Sequence, residues 1–270
     1  MIPLGLAAAA SALLVAAACG GDDGANPDGP PGTPATIAAP GDKIDRTTSP
    51  ALDAPASRFS ILLEDVGLQA YLTDIPATFE LTAASYSKTD AFNSAAEGDK
   101  LLTQWEYADG YETALIPEGR NQAILNGAHV IYVETHLLYS DAGAKKMYEY
   151  LVSRIRSNGG QAVNTGPVGN ESSAWRAVGG NVPGSTIAQA FHRMIFRRGN
   201  LVAVVLTIGA DPFMKVETAR GLALLIDEKA LGTKEAIVPT PTSNFTPPAD
   251  RVKTAVRPTP AATPSATATR

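Results

Sequence analysis

Thiols are almost missing from this chain: of its 270 residues, only Cys19 is a cysteine. Beyond residue 19 the sequence therefore excludes an intrachain disulfide, a cysteine-ligated metal and a thiol nucleophile, and the folded part must rest on an apolar core. Histidine is nearly as scarce, with His129, His136 and His192 alone. Basic charge is not in excess, since 22 Lys and Arg stand against 27 Asp and Glu for a net charge of −5. The basic residues are also dispersed, so no nucleic-acid partner is expected. No apolar run makes a comfortable spanning helix, which needs about 20 residues; the run 2–18 is shorter and rich in Ala and Gly. A Gly-x-Ser-x-Gly elbow, a phosphate loop, a dinucleotide fingerprint and a His-Glu-x-x-His run are all missing, so neither a cofactor nor a metal is expected.

What is present divides the chain into four parts. Residues 1–18 have the length and small-residue ending of a secretory leader, and Gly20-Gly21-Asp22-Asp23 follows Cys19 directly. Residues 19–57 are dominated by Gly, Pro, Ala, Asp and Thr. Such a segment buries too little apolar surface to offset its ordering entropy, and it is expected to be a disordered linker. The tail 237–270 alternates Pro-Thr and Ala-Thr pairs and is expected to be extended and disordered. Between them, 58–236 has the size of a single domain.

Within that domain, 130–139 is rich in β-branched and aromatic residues and reads as a strand. It leads through Ser140-Asp141 into a helix with Ala144, Met147, Tyr148, Leu151 and Ile155 on one stripe, ended by Asn158-Gly159-Gly160. The pattern recurs. The run 201–208 is apolar at both parities, as in a central strand. It passes through Asp211-Pro212, expected as N-cap and first helical residue, into a helix carrying Val216, Ala219, Leu222, Ala223 and Ile226. Strand 187–197 joins 201–208 through a Gly199-Asn200 hairpin, and Arg197-Arg198 at that turn reads as an exposed basic pair. Segments 102–107 and 111–116 flank Asp109-Gly110 as a second hairpin, and 79–86 reads as a further strand. The sum is an α+β domain: a two-layer sandwich of a mainly antiparallel sheet with two helices packed on one face. The repeated strand, turn and helix suggest a pseudo-twofold arrangement.

Alternation along 130–139 places Tyr132, Glu134 and His136 on one face and Ile131, Val133, Leu137 and Tyr139 on the core face. The polar face is expected to be open and solvated, and its three residues are the candidate ligand-binding row. Trp105 and Trp175 are expected in the core.

The apolar run ending at Cys19 resembles the lipobox of bacterial lipoproteins, with Ala16 in place of the usual Leu and no Lys or Arg ahead of the run. The resemblance implies diacylation of Cys19, cleavage before it, and a chain held by lipid on the extracytoplasmic face of the cell membrane. The residues alone also admit ordinary cleavage after Ala18, with a free thiol, or an uncleaved anchor. Residues 111–231, with their element order and the Arg197-Arg198-Gly199-Asn200 turn, resemble PsbP-like exported domains and uncharacterised secreted lipoprotein domains. That resemblance carries no catalytic residue. The leading expectation is a non-enzymatic module, tethered through Cys19, that binds a small molecule or an envelope protein. The alternatives are a metal-dependent or acid–base hydrolase using Glu134 and His136, with His192 as a third ligand, and a structural envelope scaffold.

Replacing Cys19 by Ala should move the protein from the membrane to the soluble fraction, read by fractionation with a carbonate wash. A variant that stays in the membrane would point to an uncleaved helix.

Overall fold

A computed structural model describes residues 46–66 and 71–235, and only the backbone of 71–79. The leader with Cys19, the linker up to residue 45 and the tail 237–270 lie outside the described residues. In chain order the elements are a 3-10 turn Ala56–Phe59, α1 (Leu63–Val66), β1 (Tyr71–Glu80), α2 (Ala83–Tyr86), α3 (Ala95–Gln104) and β2 (Tyr107–Pro117). They continue with α4 (Arg120–Leu125), β3 (Val130–Leu138), α5 (Asp141–Ser157), β4 (Gln161–Val163), β5 (Glu171–Asn181) and β6 (Ala188–Arg198). β7 (Leu201–Ala210), a 3-10 turn Asp211–Phe213 and α6 (Val216–Ala230) complete them. The strands form one seven-stranded sheet in the order β1-β2-β3-β7-β6-β5-β4, and every neighbouring pair is antiparallel. The class is α+β, an antiparallel sheet with helices packed on it, as the periodicities imply.

Local signals account for the elements that match expectation. Arg198 pairs with Leu201, so Gly199-Asn200 is a two-residue hairpin, and Gly199 takes the positive φ of 56° that its first central position requires. The Ser140 hydroxyl accepts from the Gly143 N–H at 3.1 Å and starts α5, whose Ala144, Met147, Tyr148 and Leu151 are buried. β7 is buried at every position and lies at the centre of the sheet. Trp105 and Trp175 are in the core.

Four expectations about elements and layers need correction. Residues 102–107 and 111–116 are not a hairpin: 95–104 is α3, and β2 continues through Asp109-Gly110, with a register shift between Tyr107 and Asp109. Ser94 caps α3 by accepting from the Glu97 N–H at 3.2 Å, while the Glu97 carboxylate accepts from the Asn93 N–H at 2.9 Å, a close relative of the capping box. The strand expected at 79–86 ends at Glu80, and 83–86 is α2. Asp211-Pro212 forms its own 3-10 turn, and α6 starts only after Lys215.

The fourth correction concerns layers. α5 packs with Ile195, Val202 and Val204, whereas α6 packs with Met194, Phe196, Ala203 and Val205. Those sets alternate along β6 and β7, so the two helices cover opposite faces and not one face. The sandwich has three layers. A twofold axis between antiparallel neighbours stands perpendicular to the sheet and would keep both helices on one side. The expected pseudo-twofold therefore does not hold.

Arg197 and Arg198 are not exposed. Arg198 is fully buried and binds Asp227 of α6 through both carboxylate oxygens, Nε to Oδ1 at 2.6 Å and Nη2 to Oδ2 at 2.8 Å. Its Nη1 donates to the Thr48 carbonyl at 2.7 Å. Arg197, one residue earlier, points to the other face and pairs with Asp141 at the start of α5. Both are covered because the segment beginning at residue 46 lies across the hairpin. The Asn200 side chain accepts from Leu52 N–H at 2.7 Å and donates to Leu52 O at 3.1 Å, as a paired strand would. Asn170 donates to the carbonyls of Arg46 and Thr48, each at 2.9 Å, and accepts from Gly199 N–H at 2.8 Å. A Cβ on Gly199 would collide with the Pro50 carbonyl. Residues 46–57, expected in the disordered linker, thus belong to the folded domain. The polar groups of the hairpin supply the partners that their composition lacks.

Removing one member of a fully buried ion pair strands the other charge in a dry site, a cost of about 3–5 kcal/mol. Asp227→Ala should lose stability on that scale in urea unfolding followed by circular dichroism. The double change Arg198→Met with Asp227→Leu, which removes both charges, should lose clearly less.

Candidate functional site

The register of the central strands decides which side chains meet. On the α5 face of the sheet, His136 of β3 is level with Gly110 of β2 and Val202 of β7. Glu134 is level with Glu112 and Val204, and Tyr132 with Ala114 and Leu206. One strand further, Ile195 lies beside Val204 and Arg193 beside Leu206. Tyr132, Glu134 and His136 do share a face, as alternation requires. Helices α2, α3 and α5 cover one end of that face through an apolar cluster that includes Tyr86, Trp105 and Val202. α4 and the residues around Val182 cover the other end, with Ile124 and Ile208. Between them a band carries Glu112, Glu134, Tyr132 and Arg193, all half-buried.

His136 was expected on an open, solvated face, yet it is wholly buried. The Tyr86 ring lies over it with centroids 4.4 Å apart. Its Nδ1 is 3.1 Å from the Tyr107 hydroxyl, which donates to the Leu81 carbonyl at 3.2 Å. Its Nε2 is 3.2 Å from Glu134 Oε2. The Tyr107 hydroxyl on one side and the Glu134 carboxylate on the other thus engage both ring nitrogens. Gly110 makes this possible, because a Cβ there would run into the Tyr107 hydroxyl and come within 3.0 Å of His136 Nδ1. His136 cannot touch a ligand. It positions Glu134, which remains one-third exposed.

The two neighbouring carboxyls are driven apart. Burial pushes Glu134 up, but the hydrogen bond and charge of His136, together with Arg193, outweigh it and hold Glu134 below its ordinary range. Glu112 has no such partner among the described residues; burial first, and then the charge of Glu134, raise it to about 7. The band also holds two donors without a partner among the described residues, the Tyr86 hydroxyl and Arg193 Nε.

His192 does not join this group. It is level with Thr207 and Ile131, on the α6 face, with the thickness of the sheet between it and His136. Burial, then Arg176, lower its pKa. The His192 ligand considered for a metal-dependent hydrolase is thereby ruled out by strand parity. Among the described residues, no group of three or more His, Cys, Asp or Glu is placed to hold a metal ion. Glu112 and Tyr86 do not stand out in the sequence because 107–117 reads there as two strands and 83–86 as the end of one, whereas Arg193 lies on the expected strand 187–197 and only its register with Leu206 brings it to the band. Once β2 is continuous, its register with β3 brings Glu112 opposite Glu134. Two shallow depressions, at Leu125 with Gly184–Ile187 and at Asn164–Gly166 with Glu217 and Arg220, lie away from the band.

A folded-state pKa near 7 means that the native protein holds a proton on Glu112 that the unfolded chain has released above about 4.5. This contribution favours the fold below pH 4.5 and is lost as pH rises through 7. Glu112→Gln should remove that decline. Relative to the unaltered chain it should gain on the order of 1 kcal/mol between pH 4.5 and 8, the full shift being reduced because the group is only half-buried. Urea unfolding across that pH range checks the sign.

Neither the known protein families nor the curated proteins include a match to this chain. Among solved structures, the extracellular domain of PknH from Mycobacterium tuberculosis is similar at 9% identity and a TM-score of 0.40, over 67% of this chain and 100% of that one.

Proposed function

We propose that this chain is an extracytoplasmic module, held to the cell membrane by lipid on Cys19, that binds a small polar ligand without transforming it. The apolar leader that ends at the only cysteine supports the tether and its side of the membrane. Among the described residues no helix is long and apolar enough to cross a membrane. The observation that carries the binding reading is the polar band. A sheet otherwise covered on this face by helices leaves Glu112, Glu134, Tyr132 and Arg193 half-buried beside the unpartnered Tyr86 hydroxyl. Buried donors of this kind are costly unless something pairs with them.

Binding is preferred to hydrolysis by His136 because that ring is sealed from solvent with both nitrogens engaged. A second reading rests on Glu112 and Glu134 alone. Two carboxyls with separated pKa values are the arrangement that serves as acid and base in hydrolases.

Thermal unfolding of the full chain in detergent, with a panel of small cations, anions, zwitterions and neutral sugars, tests the proposal. At least one class should raise Tm by several degrees, and Glu134→Gln should abolish the shift. A panel without effect would overturn the binding reading. Turnover of a chromogenic ester or glycoside that is lost in Glu112→Gln would replace it by the second.

A further inference from the structure

The band has poles of opposite sign with an apolar floor between them. Glu112 and Glu134 face each other across β2 and β3. Arg193 lies on β6, two strands across and two residues along from Glu134, or about 12 Å at the usual strand and residue spacings. Val204 and Leu206 of β7 fill the interval, each 9% exposed. Arg193 makes no salt bridge to a described side chain, and its Nε is buried without an acceptor among the described residues. Tyr86, 1% exposed, carries a second donor without a partner among the described residues; its ring lies over His136, which is 3.2 Å from Glu134, so it borders the same band.

Each pole lacks what the other would supply. The carboxyl pair has acceptor positions left over, since His136 takes only one oxygen of Glu134. Arg193 and Tyr86 have donors left over. An amine would satisfy the first pole and leave two buried donors unmet, and a carboxylate would do the reverse. One small molecule that has both groups satisfies all of them.

We propose that Glu112 with Glu134, and Arg193 with Tyr86, are the two poles of a site for a small ammonium–carboxylate zwitterion of the α-amino acid class. This assignment rests on the binding reading above and names its ligand. The ammonium donates to the carboxyl pair. The carboxylate accepts from Arg193 Nε and the Tyr86 hydroxyl. Side-chain selectivity comes from the strip between the Tyr86 end and the Ile124 end of the face.

Calorimetric titration of the full chain in detergent uses four probes: L-leucine, glycine, isopentylamine (leucine without its carboxylate) and 4-methylpentanoate (leucine without its ammonium). Leucine or glycine should bind at least about tenfold tighter than either one-pole analogue, the factor set by one lost charge-assisted hydrogen bond. Arg193→Gln and Tyr86→Phe should weaken the amino acid and leave isopentylamine unchanged. Glu112→Gln should weaken both. Circular dichroism of each variant separates loss of the site from loss of the fold. Equal binding of isopentylamine and leucine to the unaltered chain would overturn the zwitterion and leave the binding module standing. Amino-acid binding unchanged in well-folded Arg193→Gln and Glu112→Gln would overturn the placement. Silence of these probes while another class stabilises the protein would overturn the ligand class alone, and silence of every class would overturn both readings.

Discussion

The buried pair of Arg198 and Asp227 holds this fold together. Both side chains are almost completely withdrawn from water, and a charge there is tolerable only because its partner and the surrounding acceptors are complete. Arg198 meets both Asp227 oxygens and the Thr48 carbonyl, and Asp227 also accepts from Gly169 N–H at 3.3 Å. One guanidinium thus joins the β6–β7 hairpin, α6 and the entering chain. The next residue back does the same for the opposite layer. Successive strand residues point to opposite faces, so Arg197 reaches Asp141 of α5 while Arg198 reaches Asp227 of α6. Two adjacent arginines fasten the two helical layers to one hairpin. A third buried contact, Lys229 Nζ to Asp65 at 2.7 Å and to the Ser60 carbonyl at 2.6 Å, ties α6 to the segment before β1.

With both layers fixed, the proposed binding surface follows from what the helices leave uncovered. α6 and the turn at Ala56–Phe59 close their face with apolar contacts from Ile61 to Ile226. On the other face, α2, α3 and α5 close one end and α4 the other. The gap between them falls on the rows of Glu134 and Tyr132. There the sheet is partly wet and partly dry, which is where carboxyls diverge in pKa and where unpaired donors persist. His136 takes part from beneath. Held by Tyr107 and covered by Tyr86, it keeps Glu134 ionised and oriented without being reachable itself.

Much of this was legible before any coordinates. The stripe Ala144–Met147–Tyr148–Leu151 specified α5 and its buried side, and Gly199-Asn200 specified the central hairpin. The both-parity burial of 201–208 also contained the answer on layers. A strand apolar on both sides needs cover on both sides, which already argues against two helices on one face. The Ser94-x-x-Glu97 pattern likewise announced α3, but Asp109-Gly110 was given the stronger turn reading. Gly110 is instead a strand glycine, present because the Tyr107 hydroxyl and His136 occupy the space of its Cβ. That reason exists only after β2 and β3 are in register.

The sequence by itself determined the elements whose cause is local: helix stripes, caps, the two-residue turn, and the shared parity of Tyr132, Glu134 and His136. These depend on contacts within a few residues, and composition and spacing express them directly. Tertiary structure decided the rest. It buried Arg198 under a segment 150 residues earlier in the chain. It set His192 on the far side of the sheet and placed Glu112 opposite Glu134 with Arg193 two strands away. Each of these is a pairing between distant segments. Register is fixed by the packing of whole faces and not by any local pattern, so the partners of a charged residue become known only when the sheet closes around it.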